Sequence, residues 1–303
     1  MRDSLNVADT AEKVDMDIES ISGAASVALT STLIFVVVAK SWQLINRSVG
    51  SSPRFSESIM REAAQRFREE FERLNSSQST YLSAAVVFVM LFVAAYVLQA
   101  KQLFIGYPAW QLYLLLAALG AGGMLAIFRM GKTAVSRHQV KLRRDANIAI
   151  GHQLQKLSIG VGRTYHDVRT DSGIIDHIIV GKSGAYAVSV VAVPSGKSGE
   201  VSLLHNELHF GETGKTHSIV PTNANVASLE REFRRLVDHR VRVRSVIAVP
   251  GWTIDAQTSD EHLLVNEKNL AMLSGWKDQA DYLMDEDVDA IHKMLTSRCK
   301  INT

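Results

Sequence analysis

The chain has 303 residues, 47% of them hydrophobic and 21% charged, with five prolines and a single cysteine, Cys299. That apolar content excludes a wholly disordered chain; one cysteine excludes a disulfide scaffold and an all-cysteine zinc site, and fits a reducing compartment or an incidental thiol. The net charge of +2 and the mean hydropathy of +0.04 average over two very different parts.

Residues 1–20 hold two basic and six acidic groups. A positive leader is therefore missing ahead of the first apolar stretch, which argues against an ordinary signal peptide. Three stretches carry no charge: 20–39, 75–100 and 102–128. A bilayer core of about 30 Å needs roughly 20 apolar residues as helix. Transmembrane helices are predicted at 21–42, 81–101 and 108–128. The first is the weakest, because its front half is Ser, Gly, Ala and Thr. Lys and Arg near span ends stay on the cytoplasmic side. Residues 40–80 hold seven basic and five acidic groups, and 129–144 hold six basic groups and no acid. Three spans with the acidic 1–20 segment outside place both basic segments inside. The expected location is a plasma membrane, the bacterial inner membrane, crossed several times, with the C-terminal domain cytoplasmic.

Between the first two spans a cytoplasmic amphipathic helix is predicted over 52–75. Ser52 can cap it and Pro53 fits its first turn. Phe55, Ile59, Ala63, Phe67, Phe71 and Leu74 recur every three or four residues. Opposite charges stand four apart at 57–61, 62–66, 66–70, 68–72 and 69–73. The stripe suits packing on the C-terminal domain or on itself, or a coiled-coil or membrane-surface contact. In the third span Ala117 with Ala121, and Ala118 with Gly122, give small-xxx-small spacing. Such spacing lets helices approach closely, most simply against the second span. A homo-oligomer through spans two and three, or through the 52–75 helix, is a further possibility. No span contains a buried charge, Lys40 and Lys101 standing at span ends, so an ion pathway has no support. Besides lipid, protein partners are expected.

Beyond Arg144 the texture becomes mixed α/β, with 17 basic and 20 acidic groups over 145–303. Ile148, Ile150, Leu154 and Leu157 form a helical face. Residues 173–193 read as two apolar strands around a tight turn, and VSLLHNELHF as one further strand. A helix follows with Val226, Leu229, Phe233 and Leu236 inward. VRSVIAVPG is a strand, and HLLVNEKNLAMLSGW a strand leading into a helix. The order α-β-β-β-α-β-β predicts a sheet with helices on it.

The run Ile175-Asp176-His177-Ile178-Ile179-Val180-Gly181-Lys182-Ser183-Gly184, with this element order, resembles the nuclease-related domain (NERD) family. The resemblance covers about residues 142–275 of a domain expected to run over 142–303. It implies a restriction-endonuclease-like fold with a PD-(D/E)XK core, a mixed sheet flanked by helices. Active members use an Asp, then a Glu with a Lys two residues on, to hold a divalent metal and an attacking water. A two-residue turn at Lys182-Ser183 pairs Gly181 with Gly184. Asp176 then faces Ser189, with Val191 on the same side. The family's Glu and Lys therefore fall on Ser189 and Val191, and its helix Glu on Asn147. Its later Gln is missing, with Asn223 and Asn225 nearby. Only Asp176 is retained. The sequence predicts a degenerate site, no cofactor, and a binding or structural module, leaning away from an enzyme. The alternative is a tethered Mg²⁺-dependent nuclease acting on DNA with displaced carboxylates, such as Glu200 or Asp171.

Nucleic-acid binding has weak support. Arg231, Arg234, Arg235, Arg240, Arg242 and Arg244 cluster, but Glu230, Glu232 and Asp238 dilute them, and the domain is slightly acidic. His205 and His209 are predicted on one strand face, as hairpin surface rather than a metal site. Asn206 stands at the Glu position of the metalloprotease HExxH, and P-loop and Ser-His-Asp signatures are absent.

Overall fold

The computed structural model describes residues 60–100, 109–194, 199–211, 213–257, 261–275 and 278–300. The acidic segment 1–20, the predicted span 21–42 and the predicted helix start at Ser52 and Pro53 lie outside them. The described residues form a mixed α/β structure with four α-helices and two mixed sheets. The described residues divide into two compact units, one built on 78–132 and one on 60–77 with 133–300.

Helix α1 runs over Gln65–Ala100 and α2 over Ala109–Val161. Both are long and apolar enough to cross a membrane, and only 11% of the most apolar window of each is buried. The separate helices predicted at 52–75 and 81–101 are thus corrected. Met60 forms an isolated bridge with Lys300, residues 61–64 are not helical, and a single helix starts at Gln65. Nothing between Leu74 and Tyr81 stops it: the polar run has neither Gly nor Pro, and Ser77 Oγ donates back to Arg73 O at 3.0 Å. Likewise α2 carries the predicted third span, the basic segment and the 146–157 helix without a break. In the first unit Gly122 meets Phe88, whose Cε1 would lie 2.7 Å from an added Cβ. The small residue therefore does admit α1, the hairpin partner.

In the second unit the five-stranded sheet has the order β1-β2-β3-β7-β9. β1 (Arg163–Thr170), β2 (Gly173–Gly181) and β3 (Gly184–Val190) are successive antiparallel neighbours, and β7 (Val243–Ala248) and β9 (His262–Val265) add in parallel. Helices α3 (Val220–Val237) and α4 (Asp285–Cys299) cover one face, where Ile178, Val180, Ala185 and Ala187 meet Leu229, Phe233, Ile291 and Leu295. The other face carries Ile179, Tyr186 and Val188 against Ile150 and Leu154 of α2. Alternate residues of β2 and β3 thus serve opposite layers, as strand geometry requires. Phe67, Phe71 and Leu74 pack with Val140 and Ile148, so the surviving stripe of α1 meets α2 within this unit.

The predicted single strand VSLLHNELHF is a hairpin, β4 (Glu200–Leu204) and β5 (Glu207–Phe210), turning at His205 with φ 56°. His205 is therefore at a turn, off the strand face that holds His209. With β6 (Lys215–Ser218) and β8 (Thr253–Gln257) they form a four-stranded sheet, order β6-β5-β4-β8. The helix expected after β9 is a short 3-10 turn, Leu270–Ser274. In α3, Leu229 and Phe233 are inward as predicted, but Leu236 is exposed and Glu232 is buried. Glu232 stays inside because Arg298 of α4 and the Asp171 amide both reach it.

Candidate functional site

The β2–β3 register is the predicted one: Gly181 pairs with Gly184 and His177 with Val188. The positive φ of the turn, 120°, falls on Gly184, where a Cβ would sit 3.2 Å from Asp281 O. Ladder pairing ends at His177, and Asp176 lies one residue beyond. Its Oδ2 accepts the Val190 amide at 2.8 Å, so the carboxylate replaces a backbone partner. Ser189, next to Val188, is half-buried and pairs with Ile247 of β7. Val191 continues the parity of Ala185 and Ala187. Its amide donates to Ala248 O, and its side chain is buried with Ile247, Val249 and Leu264 against Val201 and Leu203 of the second sheet.

What reaches Asp176 is an arginine. Arg66 Nη2 donates to Asp176 Oδ1 at 3.0 Å. The Arg66 backbone amide donates to Asp167 Oδ2 at 3.0 Å, and Arg66 Nε lies 3.9 Å from Asp167 Oδ1. One residue therefore joins two carboxylates. Asp167 sits in β1 with φ 50°, a conformation that Asp tolerates better than most residues. The side chains of Asp167, Asp176 and Arg66 are 1%, 12% and 30% exposed. Burial pushes the Asp176 carboxyl up to about 6, against the Val190 amide and the Arg66 charge, which pull it down. Burial also raises Asp167.

Beside these acids lies a buried histidine pair. His166 Nδ1 and His177 Nδ1 are 2.8 Å apart, with rings edge to face. One nitrogen must donate and the other accept, so two neutral rings here hold opposite tautomers. Burial brings His166 down to about 4 and His177 well below the usual range. Helix α2 approaches this pair at Gly151, where a Cβ would lie 3.6 Å from His177 Cε1 and 3.8 Å from His166 Cε1. One turn earlier, Asn147 is buried and donates Nδ2 to Arg143 O at 3.0 Å. Cys299 Sγ donates to His166 O at 3.6 Å, and burial pushes its thiol up to about 11.

The structure thus brings Asp176 together with Arg66, Asp167 and the two histidines, none of which except His177 stands in the motif read from the sequence. Arg66 was legible only as a member of helical charge pairs. Asp167 lies in a strand with no apolar run. The carboxylates named as possible substitutes go elsewhere. Asp171 is exposed at the turn between β1 and β2, and Glu200 lines a cavity of about 250 Å³ on the second sheet with Ser202, His209, Lys215 and Asp255. The arginine cluster is divided: Arg244 is buried and ion-paired with Asp281 at 2.6 Å, while Arg234, Arg235, Arg240 and Arg242 are exposed.

A divalent metal does not fit the Asp176 site as built. Hard cations take several oxygen ligands. Here one Asp176 oxygen is held by a backbone amide and the other by a guanidinium, and the neighbouring Val191 offers a hydrocarbon. Comparison of the chain with protein-family models, with curated proteins and with solved structures gives no match, so the functional reading rests on this geometry.

Proposed function

We propose that this chain is a membrane-anchored protein whose cytoplasmic domain has the restriction-endonuclease-like fold of the NERD family without its catalytic set, and serves as a binding or structural module. The observation that carries this reading is the Arg66–Asp176 ion pair, which occupies the one retained acidic position. Support for the fold comes from the strand plan: three antiparallel strands, then a parallel partner reached through α3, with α2 on the opposite face. Support for the anchor comes from Leu82, Val86, Val89, Met90, Val93, Leu114, Leu125 and Phe128, large apolar side chains exposed along two helices. Exposure on that scale suits lipid, not water. With the stretch at 21–42 it makes three spans in a bacterial inner membrane, N-terminus outside.

The full chain in detergent, dialysed and then supplied with Mg²⁺ or Mn²⁺, is expected to leave single- and double-stranded DNA intact. Metal-dependent cleavage that Asp176→Ala abolishes would overturn the reading. It would favour a tethered nuclease, for which Asp167 is the second carboxylate at hand.

A further inference from the structure

Residues 60–66 form a strap tied down along its length. Met60 bridges Lys300, the Arg61 amide donates to Cys299 O at 2.9 Å, and Arg61 Nη1 reaches Asp167 O at 3.5 Å. Ala63 lies against Gly151 of α2. Arg66 closes the strap on Asp167 and Asp176. Two buried carboxylates that both face one arginine need a cation, and under the nuclease-like reading a divalent metal would supply it. Asp167 Oδ1 is buried and takes no hydrogen bond; the group it faces is Arg66 Nε, at 3.9 Å.

We propose that Arg66 is a built-in substitute for the metal: its guanidinium binds Asp176 and lies within ion-pair distance of Asp167, whose other oxygen its amide holds, so that the chain needs no divalent ion there and the strap stays shut. The inference rests on the nuclease-like reading for the identity of the missing ion, and on the two carboxylates alone for the need of a cation. A guanidinium suits the role because it is always charged and presents several donors in a fixed fork. Asp176 takes an Nη donor and Asp167 the backbone amide of the same residue, so one side chain and one peptide group do the bridging.

Cys299 supplies the test. It is the chain's single cysteine, it is buried, and its carbonyl holds the strap. Labelling of the full chain in detergent by a maleimide at fixed pH therefore reports strap opening. Arg66→Ala is expected to speed labelling by at least about tenfold, since it leaves buried carboxylates uncompensated. Millimolar Mn²⁺ should then slow Arg66→Ala several-fold and leave the wild type unchanged. The metal response should vanish when Asp167→Asn and Asp176→Asn are added. Arg66→Lys, which keeps the charge, should fall between wild type and Arg66→Ala. Labelling of Arg66→Ala at the wild-type rate, no response of that variant to metal, or a response that survives the two Asn substitutions would each overturn the proposal. If Arg66→Ala does not fold, Asp176→Asn carries the test: faster labelling than wild type with no metal response supports the bridge, and an unchanged rate overturns it. DNA cleavage by the wild type would sink the functional reading without altering these rates, so the two failures are distinguishable.

Discussion

Gly151 gives the sharpest test of how α2 meets the strap. In the middle of a helix, Gly→Ala ordinarily gains about 0.5–1 kcal/mol through backbone entropy. At Gly151 the new Cβ would stand 2.5 Å from Ala63 Cβ, with the two histidine rings at ordinary contact distance. Carbon atoms prefer about 3.5–4.0 Å, so a gap of roughly 1 Å must open. Overpacking of this kind costs about 1–3 kcal/mol, which outweighs the helix gain. The expected net loss is about 1–2 kcal/mol, read by denaturant unfolding of the detergent-solubilised chain. Gly131, on the same helix with no atom within 4 Å of an added Cβ, is the control; Gly131→Ala should be neutral or stabilising by up to about 1 kcal/mol. Adding Ala63→Gly to Gly151→Ala removes the colliding methyl and should recover most of the loss, a coupling a double-mutant cycle detects. Gly151→Ala as stable as wild type, or losses that simply add, would refute the close approach.

Three further expectations follow from charge, packing and linkage. Reporter fusions after residues 45, 104 and 140 should read inside, outside and inside, and an inside signal at 104 would remove the three-span topology. Gly122→Ile should disrupt the α1–α2 hairpin, because its branched side chain enters the space of the Phe88 ring; Phe88→Ala should restore it, as measured by thermal aggregation in detergent. The acid response has two opposing parts. His166 and His177 stay neutral in the fold, so their contribution is present above the ordinary histidine range and is lost as pH falls from about 6.5 through 4. Asp176, raised to about 6, takes up a proton in the folded state first, so its contribution grows as pH falls from 6 to 4, by roughly 3 kcal/mol. Asp176→Asn removes that opposing part, so between pH 6 and 4 its stability should fall more steeply than the wild type's. An equal or shallower slope would contradict the assignment.

The sequence by itself determined whatever depends on local pattern. The charge-free runs located the apolar parts of α1 and α2. The Lys182-Ser183 turn between two apolar runs fixed the β2–β3 register, because a two-residue connection leaves one pairing and strand alternation then assigns every face. The same arithmetic put Ser189 and Val191 on the strand beside Asp176, at the positions where the resemblance to nuclease-related domains would expect Glu and Lys. Tertiary structure decided the rest. Arg66 and Asp176 are 110 residues apart, and their pairing depends on a strap held by the far end of α4. Asp167 lies in RTYHDVRT, whose two apolar residues give no strand period, and which is a strand because β2 offers it an open edge. Glu232 took an inward place expected of an apolar neighbour because Arg298 and a turn amide neutralise it there. Helix ends were misread for a related reason: a polar stretch without Gly or Pro carries no stop, and only packing and capping decide whether the chain continues. Local periodicity specifies which face of an element is apolar; which charged group meets which depends on contacts between segments that no local window contains.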